Sequence, residues 1–275
     1  MLQTPAVIYC VVDSLTPPRG KIQAGFDDFS AALDHANVPM IWVTTRTRLQ
    51  IDEPRRKVGH SHPFIAEGGS GVYLPEGYFN LRPDKSLRLG RFTCIPVAEP
   101  QPAASEALEE LAANTGVAVV PLRSLSPREL SQNSGLPPRE SELVRQRDFD
   151  ELFFFAGASD QEVDHFLAQG RARKLLFRKD GPLWSVAVGA SLKTCVRELE
   201  KLYQRSLRSR PVVVGMATYA DDAAELFAAC ARTILLTSER GEAIDSAKAG
   251  HGGRKVPLDS SDAWDQVLQI VTTRG

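Results

Sequence analysis

The sequence predicts an α/β fold, a doubly wound parallel sheet core with an inserted α+β cap domain, and three observations carry that prediction. Apolar, β-branched runs at Ala6–Val12 and Pro39–Thr44 flank an amphipathic stretch, Phe26–Ala36, whose apolar residues fall at helical spacing, which makes a βαβ unit. The same rhythm returns near the C-terminus. There Thr194–Arg205 places Val196, Leu199, Leu202 and Tyr203 along one helical face, ahead of a buried-strand run, Pro211–Gly215, and a helix expected over Asp221–Cys230. Between these two regions the texture changes, so both ends of the chain build the core and the middle is an insertion.

In order along the chain, Pro63–Ala66 reads as a third strand, and Glu67-Gly68-Gly69-Ser70-Gly71 as a glycine-rich turn into the short strand Val72–Leu74, stopped by Pro75. The insertion opens with a strand around Arg91–Val97, a helix Ala104–Thr115 ended by Gly116, and a short strand Val117–Val120. Ser126-Pro127-Arg128-Glu129 combines a capping residue, proline at the first helical position and glutamate three after the cap, which is a helix start. Ser159 begins another helix through Val163, Phe166 and Leu167, with Lys174–Phe177 as the strand behind it. The expected division is a core of residues 1–80 and 185–275 around a cap of 81–184.

Composition bounds the function. At 275 residues, with 43% hydrophobic and 24% charged residues, the chain is long enough for a sizeable core and typical of globular proteins. Its 33 Lys plus Arg nearly balance 34 Asp plus Glu, so no global attraction to nucleic acid or to an anionic membrane is expected, and any anion site must be local. Cys10, Cys94, Cys195 and Cys230 are widely spaced with no CxxC pair, which argues for reduced thiols rather than zinc or a disulfide frame. With no membrane-length apolar run, a cytoplasmic protein is expected.

Several phrases, taken in order, resemble the mannosyl-3-phosphoglycerate phosphatase family, a branch of the haloacid-dehalogenase-like phosphatases. In the core these are Pro39-Met40-Ile41-Trp42-Val43-Thr44-Thr45-Arg46-Thr47-Arg48, and His62-Pro63-Phe64-Ile65-Ala66-Glu67-Gly68-Gly69 followed by Val72–Phe79. In the cap they are Leu125–Leu130, Gly135-Leu136 and Arg145–Glu151. The resemblance spans nearly the whole chain. It implies a Rossmann-like core with a mobile cap, dependence on Mg²⁺, and a phosphorylated sugar-acid or similar small anion as partner.

In that family's chemistry one Asp attacks phosphorus and a second, two residues later, protonates the leaving oxygen. Placing Asp13 as the second acid puts Val11 at the nucleophile, with Ser14-Leu15 where the family has Gly-Thr. Sliding the register makes Asp13 the nucleophile with Leu15 as its partner, or Cys10 the nucleophile with Val12. Every register breaks the pair. Thr44 at a strand end, with Thr45 and Arg46, matches the phosphate-binding motif. The family's catalytic lysine falls at Leu192, with Lys193 one residue later as the candidate, and the fourth motif has Thr218 where its first Asp belongs, followed by Asp221 and Asp222. By resemblance, Glu67, Gly68, Gly69, Arg147 and Asp148 contact substrate, with Asp150 in the same stretch, and Asp13 and Asp222 are the metal ligands that remain.

Losses at the reacting centre beside intact cap phrases imply a fold kept for binding a phosphosugar-type anion, with hydrolysis lost or severely weakened. Two alternatives stay open: an active phosphomonoesterase using Asp13 and Lys193, and a scaffold or regulatory subunit for a protein partner. His60 and His62 read as loop residues rather than a metal pair, and Gly250–Gly253 as a turn rather than a phosphate loop.

Overall fold

The structure, a computed structural model, describes residues 5–18, 20–80, 83–219, 222–237 and 253–272. Strand β1 (Ala6–Val11) lies inside the main sheet because it is apolar on both faces. Ile8, Cys10 and Val12 enter one core cluster with Phe26, Phe29 and Leu33 of helix α1 (Phe26–His35) and Val267 of α9 (Ala263–Thr272). Val7, Tyr9 and Val11 enter the opposite cluster with Leu199 of α7 (Leu192–Leu207) and Leu226 of α8 (Ala224–Ala229). Each large apolar side chain taken fully out of water contributes about 1.5–3 kcal/mol, so helices on both faces are required to hold this strand.

Parallel pairing joins β1 to β2 (Met40–Val43) on one side and to β11 (Val212–Thr218) on the other, with Val11 opposite Val43. Beyond β11 lie β12 (Arg232–Thr237) and β13 (Arg254–Pro257), also parallel. Beyond β2 lie β3 (Phe64–Ala66) and then an antiparallel run of β4 (Gly71–Pro75), β6 (Phe92–Pro96) and β5 (Leu87–Leu89). Among the described residues these make a nine-stranded sheet.

This corrects one expectation. The strand foreseen around Arg91–Val97 belongs to the main sheet and not to the inserted unit, because β4 and β6 are close enough in sequence to pair antiparallel, from Gly71 opposite Pro96 to Pro75 opposite Phe92. Phe92 and Cys94 are buried in the same cluster as Trp42.

A second, four-stranded antiparallel sheet takes the order β7 (Val119–Pro121), β8 (Glu151–Phe155), β10 (Leu183–Val188), β9 (Leu175–Asp180). One of its faces packs through Phe153 and Val186 on α3 (Gln101–Thr115) and α6 (Asp160–Ala172), where Leu108, Leu111 and Phe166 are buried. Both foreseen helix starts form as capping boxes, Ser126 with Glu129 at α4 (Pro127–Ser134) and Ser159 with Glu162 at α6. Helix α7 begins at Leu192, two residues ahead of expectation, because the Ser191 side chain accepts the Thr194 N–H. Helix α8 is shorter than foreseen, and Asp221 and Gly250–Gly252 lie outside the described residues. No helix among the described residues is long and apolar enough to cross a membrane.

Candidate functional site between core and cap

The carboxyl ends of parallel strands are where loops diverge and ligands bind in doubly wound sheets. At that edge Asp13 follows β1, and Thr44, Thr45 and Arg46 follow the adjacent β2. Parallel register brings these loops together. Asp13 accepts from the Thr44 hydroxyl, from the Thr45 N–H at 2.8 Å and hydroxyl at 3.0 Å, and from Arg46 Nε at 3.1 Å. Arg46 is further fixed by Thr16, whose carbonyl accepts from Nη1 at 2.8 Å and whose hydroxyl accepts from Nη2 at 2.6 Å. The Thr44 N–H donates to the Ile65 carbonyl at 3.0 Å. The foreseen phosphate-binding set, Thr44, Thr45 and Arg46, therefore spends these donors on Asp13 and on the fold.

Above this edge a cavity of about 310 Å³ separates core from cap. Its core wall includes Val11, Asp13, Ser14, Thr45, Arg46 and Asp222; its cap wall includes Leu136, Arg147, Leu152, Arg178, Asp180 and Leu183. Of the residues singled out from sequence, Asp13, Thr45, Arg46, Arg147 and Asp222 line it. Thr44 is buried beneath, and Lys193 is exposed on the first turn of α7, away from the lining.

The remaining candidates join core to cap. Glu67, buried and at φ 50°, accepts the backbone N–H groups of Asp148, Phe149 and Asp150 at 2.9, 2.8 and 3.1 Å. Burial first, and then the Asp150 carboxylate, push its carboxyl up to about 8. Arg147 gives its guanidinium to Asp150 and to the Thr45 carbonyl, the latter at 2.7 Å, so its Nε and Nη2 are already engaged. Asp148 accepts from Arg48 Nε and the Tyr73 hydroxyl, each at 2.8 Å. Gly69, at φ 99°, has no room for a side chain because a Cβ there would lie 2.7 Å from the Leu192 nitrogen.

Gly68 leads to residues that sequence reasoning missed. A Cβ on it would stand 2.4 Å from Nε of Arg178, which crosses from β9 of the cap onto the core. There Arg178 Nη2 donates to Glu225 Oε2 at 2.6 Å, and Glu225 Oε1 accepts the Leu192 N–H at 2.7 Å. The Arg178 Nε is buried with no hydrogen-bond partner among the described residues. Lys179 and Asp180 follow it into the cavity wall, and burial together with the nearby Asp13 carboxylate raises the Asp180 carboxyl above its usual range. The signal in sequence was a charged triplet, Arg178-Lys179-Asp180, at a strand end before Gly181.

The two histidines serve the fold. His60 binds the Met40 carbonyl through Nε2 at 2.7 Å and accepts from Arg55 Nε at 3.1 Å, while His62 bridges Asp34 and the Tyr78 hydroxyl, both at 2.6 Å.

Magnesium takes oxygen ligands, chiefly carboxylates. Here both Asp13 oxygens are committed to protein donors, one of them a guanidinium. Val11 and Thr218 end β1 and β11, and no cluster of three metal-ligating side chains exists among the described residues. As arranged, this donor set does not fit Mg²⁺.

The mostly parallel core sheet with a separate antiparallel cap sheet is the arrangement of the haloacid-dehalogenase-like fold, which superposition on solved structures shows. A phosphatase of that superfamily from Bacteroides thetaiotaomicron superposes with a TM-score of 0.63 at 18% identity, over 98% of this chain and 96% of its own. A subclass IIB sugar phosphatase superposes with the same TM-score, 0.63, at 10% identity over 98% and 100% of the two chains.

In sequence the chain is similar to mannosyl-3-phosphoglycerate phosphatases. A glucosyl-3-phosphoglycerate/mannosyl-3-phosphoglycerate phosphatase of Methanococcoides burtonii is 24% identical over 186 residues, 66% of this chain and 67% of that protein. No family model matches the chain.

Proposed function

We propose that this protein binds a small phosphorylated anion between core and cap, and that its Mg²⁺-dependent phosphomonoester hydrolysis is lost or severely weakened. One observation carries the reading: Val11, which the resemblance sets at the position of the attacking carboxylate, lines the cavity, and the neighbouring Asp13 is held by the Thr44, Thr45 and Arg46 donors. An isopropyl side chain has no lone pair to attack phosphorus. For Asp13 to take over, its carboxylate would have to leave a buried guanidinium unpaired, which costs several kcal/mol. Lys193 is exposed and is not part of the cavity lining.

Binding is supported by Arg178 on the cavity wall, with Arg46 and Arg147 nearby but paired to Asp13 and Asp150. Names of the similar proteins suggest phosphorylated sugar acids and sugar phosphates as the class. The cap is best taken to begin after Pro96 and end near Val188, in place of boundaries at 81 and 184, because β5 and β6 hydrogen-bond into the core sheet.

Phosphate release from mannosyl-3-phosphoglycerate and common sugar phosphates, assayed with Mg²⁺, is expected at background. Turnover of about 1 s⁻¹ or more, ordinary for enzymes, that disappears in Asp13→Asn would establish Asp13 as a working nucleophile and overturn the proposal.

A further inference from the structure

The cap wall of the cavity can be read strand by strand. Across the cap sheet Leu152 on β8 pairs with Ser185 on β10, and Ser185 pairs with Arg178 on β9. The three therefore form one row on one face. Leu183 pairs with Asp180 two residues along, on that same face, since side chains repeat every second residue. All five line the cavity. Neighbouring strands are roughly 4.8 Å apart, so the row runs from guanidinium to isobutyl over about 10 Å.

Its two ends continue into different surroundings. At the β9 end stand Asp180 and the core residues Arg46 and Asp13, while Lys179 projects to the opposite face of the sheet, its Nζ 5.5 Å from the Trp184 ring. At the β8 end the wall is the cavity side of an apolar cap cluster in which Val144, Leu152 and Leu183 are buried and Leu136 packs against them.

A polyhydroxylated sugar presents hydroxyl groups all round, and each one buried against Leu or Val without a partner costs free energy. The cavity's uncharged hydrogen-bonding side chains are few: Ser14, Gln50, Thr45 and Ser185. Thr45 already donates to Asp13, the Gln50 amide already serves the Thr47 N–H and Glu140, and Ser14 already has a partner. The carboxylates that could accept from a sugar stand at the β9 end, Asp13 and Asp180, or on the core wall, Asp222, so a ring against Leu136, Val144, Leu152 and Leu183 would find little to bind.

We infer that the ligand is an organic phosphate with an apolar or aromatic body. Its anionic group sits at the Arg178 end and its body lies against Leu136, Leu152 and Leu183. Arg178 suits the anion because Glu225 uses only its Nη2 and its Nε is closed off against Gly68, which leaves Nη1 for a ligand, whereas every guanidinium nitrogen of Arg46 already has a protein acceptor. This inference rests on the phosphate-binding reading above and replaces the sugar body suggested by the names of similar proteins with an apolar one.

The test is calorimetric titration and thermal shift of the intact protein with inorganic phosphate, glycerol 3-phosphate, mannose 6-phosphate, phenyl phosphate and 1-naphthyl phosphate, each at equal ionic strength. The expected result is that phenyl and naphthyl phosphate bind at least tenfold more tightly than mannose 6-phosphate. In Leu136→Ser, a half-buried position whose polar replacement the fold can accommodate, the aryl advantage should fall at least threefold while affinity for inorganic phosphate stays unchanged. Equal or tighter binding of mannose 6-phosphate overturns the apolar-body inference and leaves phosphate binding standing. If none of the phosphates binds, both readings fall together.

Discussion

Replacing Gly68 by alanine tests how the cap is held on the core. The residue has φ 62°, and the added methyl would stand 2.4 Å from Arg178 Nε and 2.6 Å from its Cδ. A left-handed backbone costs a residue with a Cβ about 1–2 kcal/mol. Moving the guanidinium also gives up its bond to Glu225, and because that pair retains 18% and 34% side-chain exposure it is worth only about 1 kcal/mol. The sum, about 2–3 kcal/mol, lowers the thermal midpoint by roughly 4–10 °C for a protein of this size. The mechanism is separable from simple backbone strain. In Gly68→Ala combined with Arg178→Ala the methyl has nothing to strike, so the double variant should be more stable than the two single losses predict by about 1 kcal/mol. Urea midpoints of the wild type, both single variants and the double variant measure this. Additivity to within about 0.3 kcal/mol would refute the idea that Arg178 is what the methyl displaces.

Glu67 makes stability depend on pH. Its folded-state carboxyl is raised to about 8 from an ordinary 4.5, so folding takes up a proton between those values and stability falls as pH rises through that window. Urea unfolding between pH 5 and 8 should show the decline, and Glu67→Gln should flatten it. Asp13→Asn should destabilise the fold by about 2–3 kcal/mol, read from urea midpoints, because Arg46, only 8% exposed, loses its counter-charge; an unchanged midpoint would mean that the ion pair is idle.

Much of this was legible in the sequence where contacts are local or fixed by strand order. The βαβ unit of β1, α1 and β2 follows from periodicity, and placing Asp13 beside Thr44 and Thr45 follows once those strands are parallel neighbours. Capping at Ser126 and Ser159 is written within four residues. What stayed hidden depends on tertiary pairing. The strand Leu183–Val188 has apolar residues on both faces and no alternation to reveal it. Arg178 finds Glu225 47 residues away, and nothing local distinguishes it from a solvated arginine. Glu67 was marked for a ligand, but what it binds is backbone 81 to 83 residues further on, a role that any buried carboxylate could fill and no motif announces.

That carboxylate has a mechanical consequence. Two chain crossings join cap to core, drawn together where the Glu99 N–H meets the Val188 carbonyl, and a body attached only there could pivot. The grip of Glu67 on the amides of Asp148, Phe149 and Asp150 joins the tethers from Arg147 to Thr45, Arg48 to Asp148 and Arg178 to Glu225, and of these it is the one whose carboxyl burial raises to about 8. Separating cap from core at this point is therefore linked to the uptake or release of one proton.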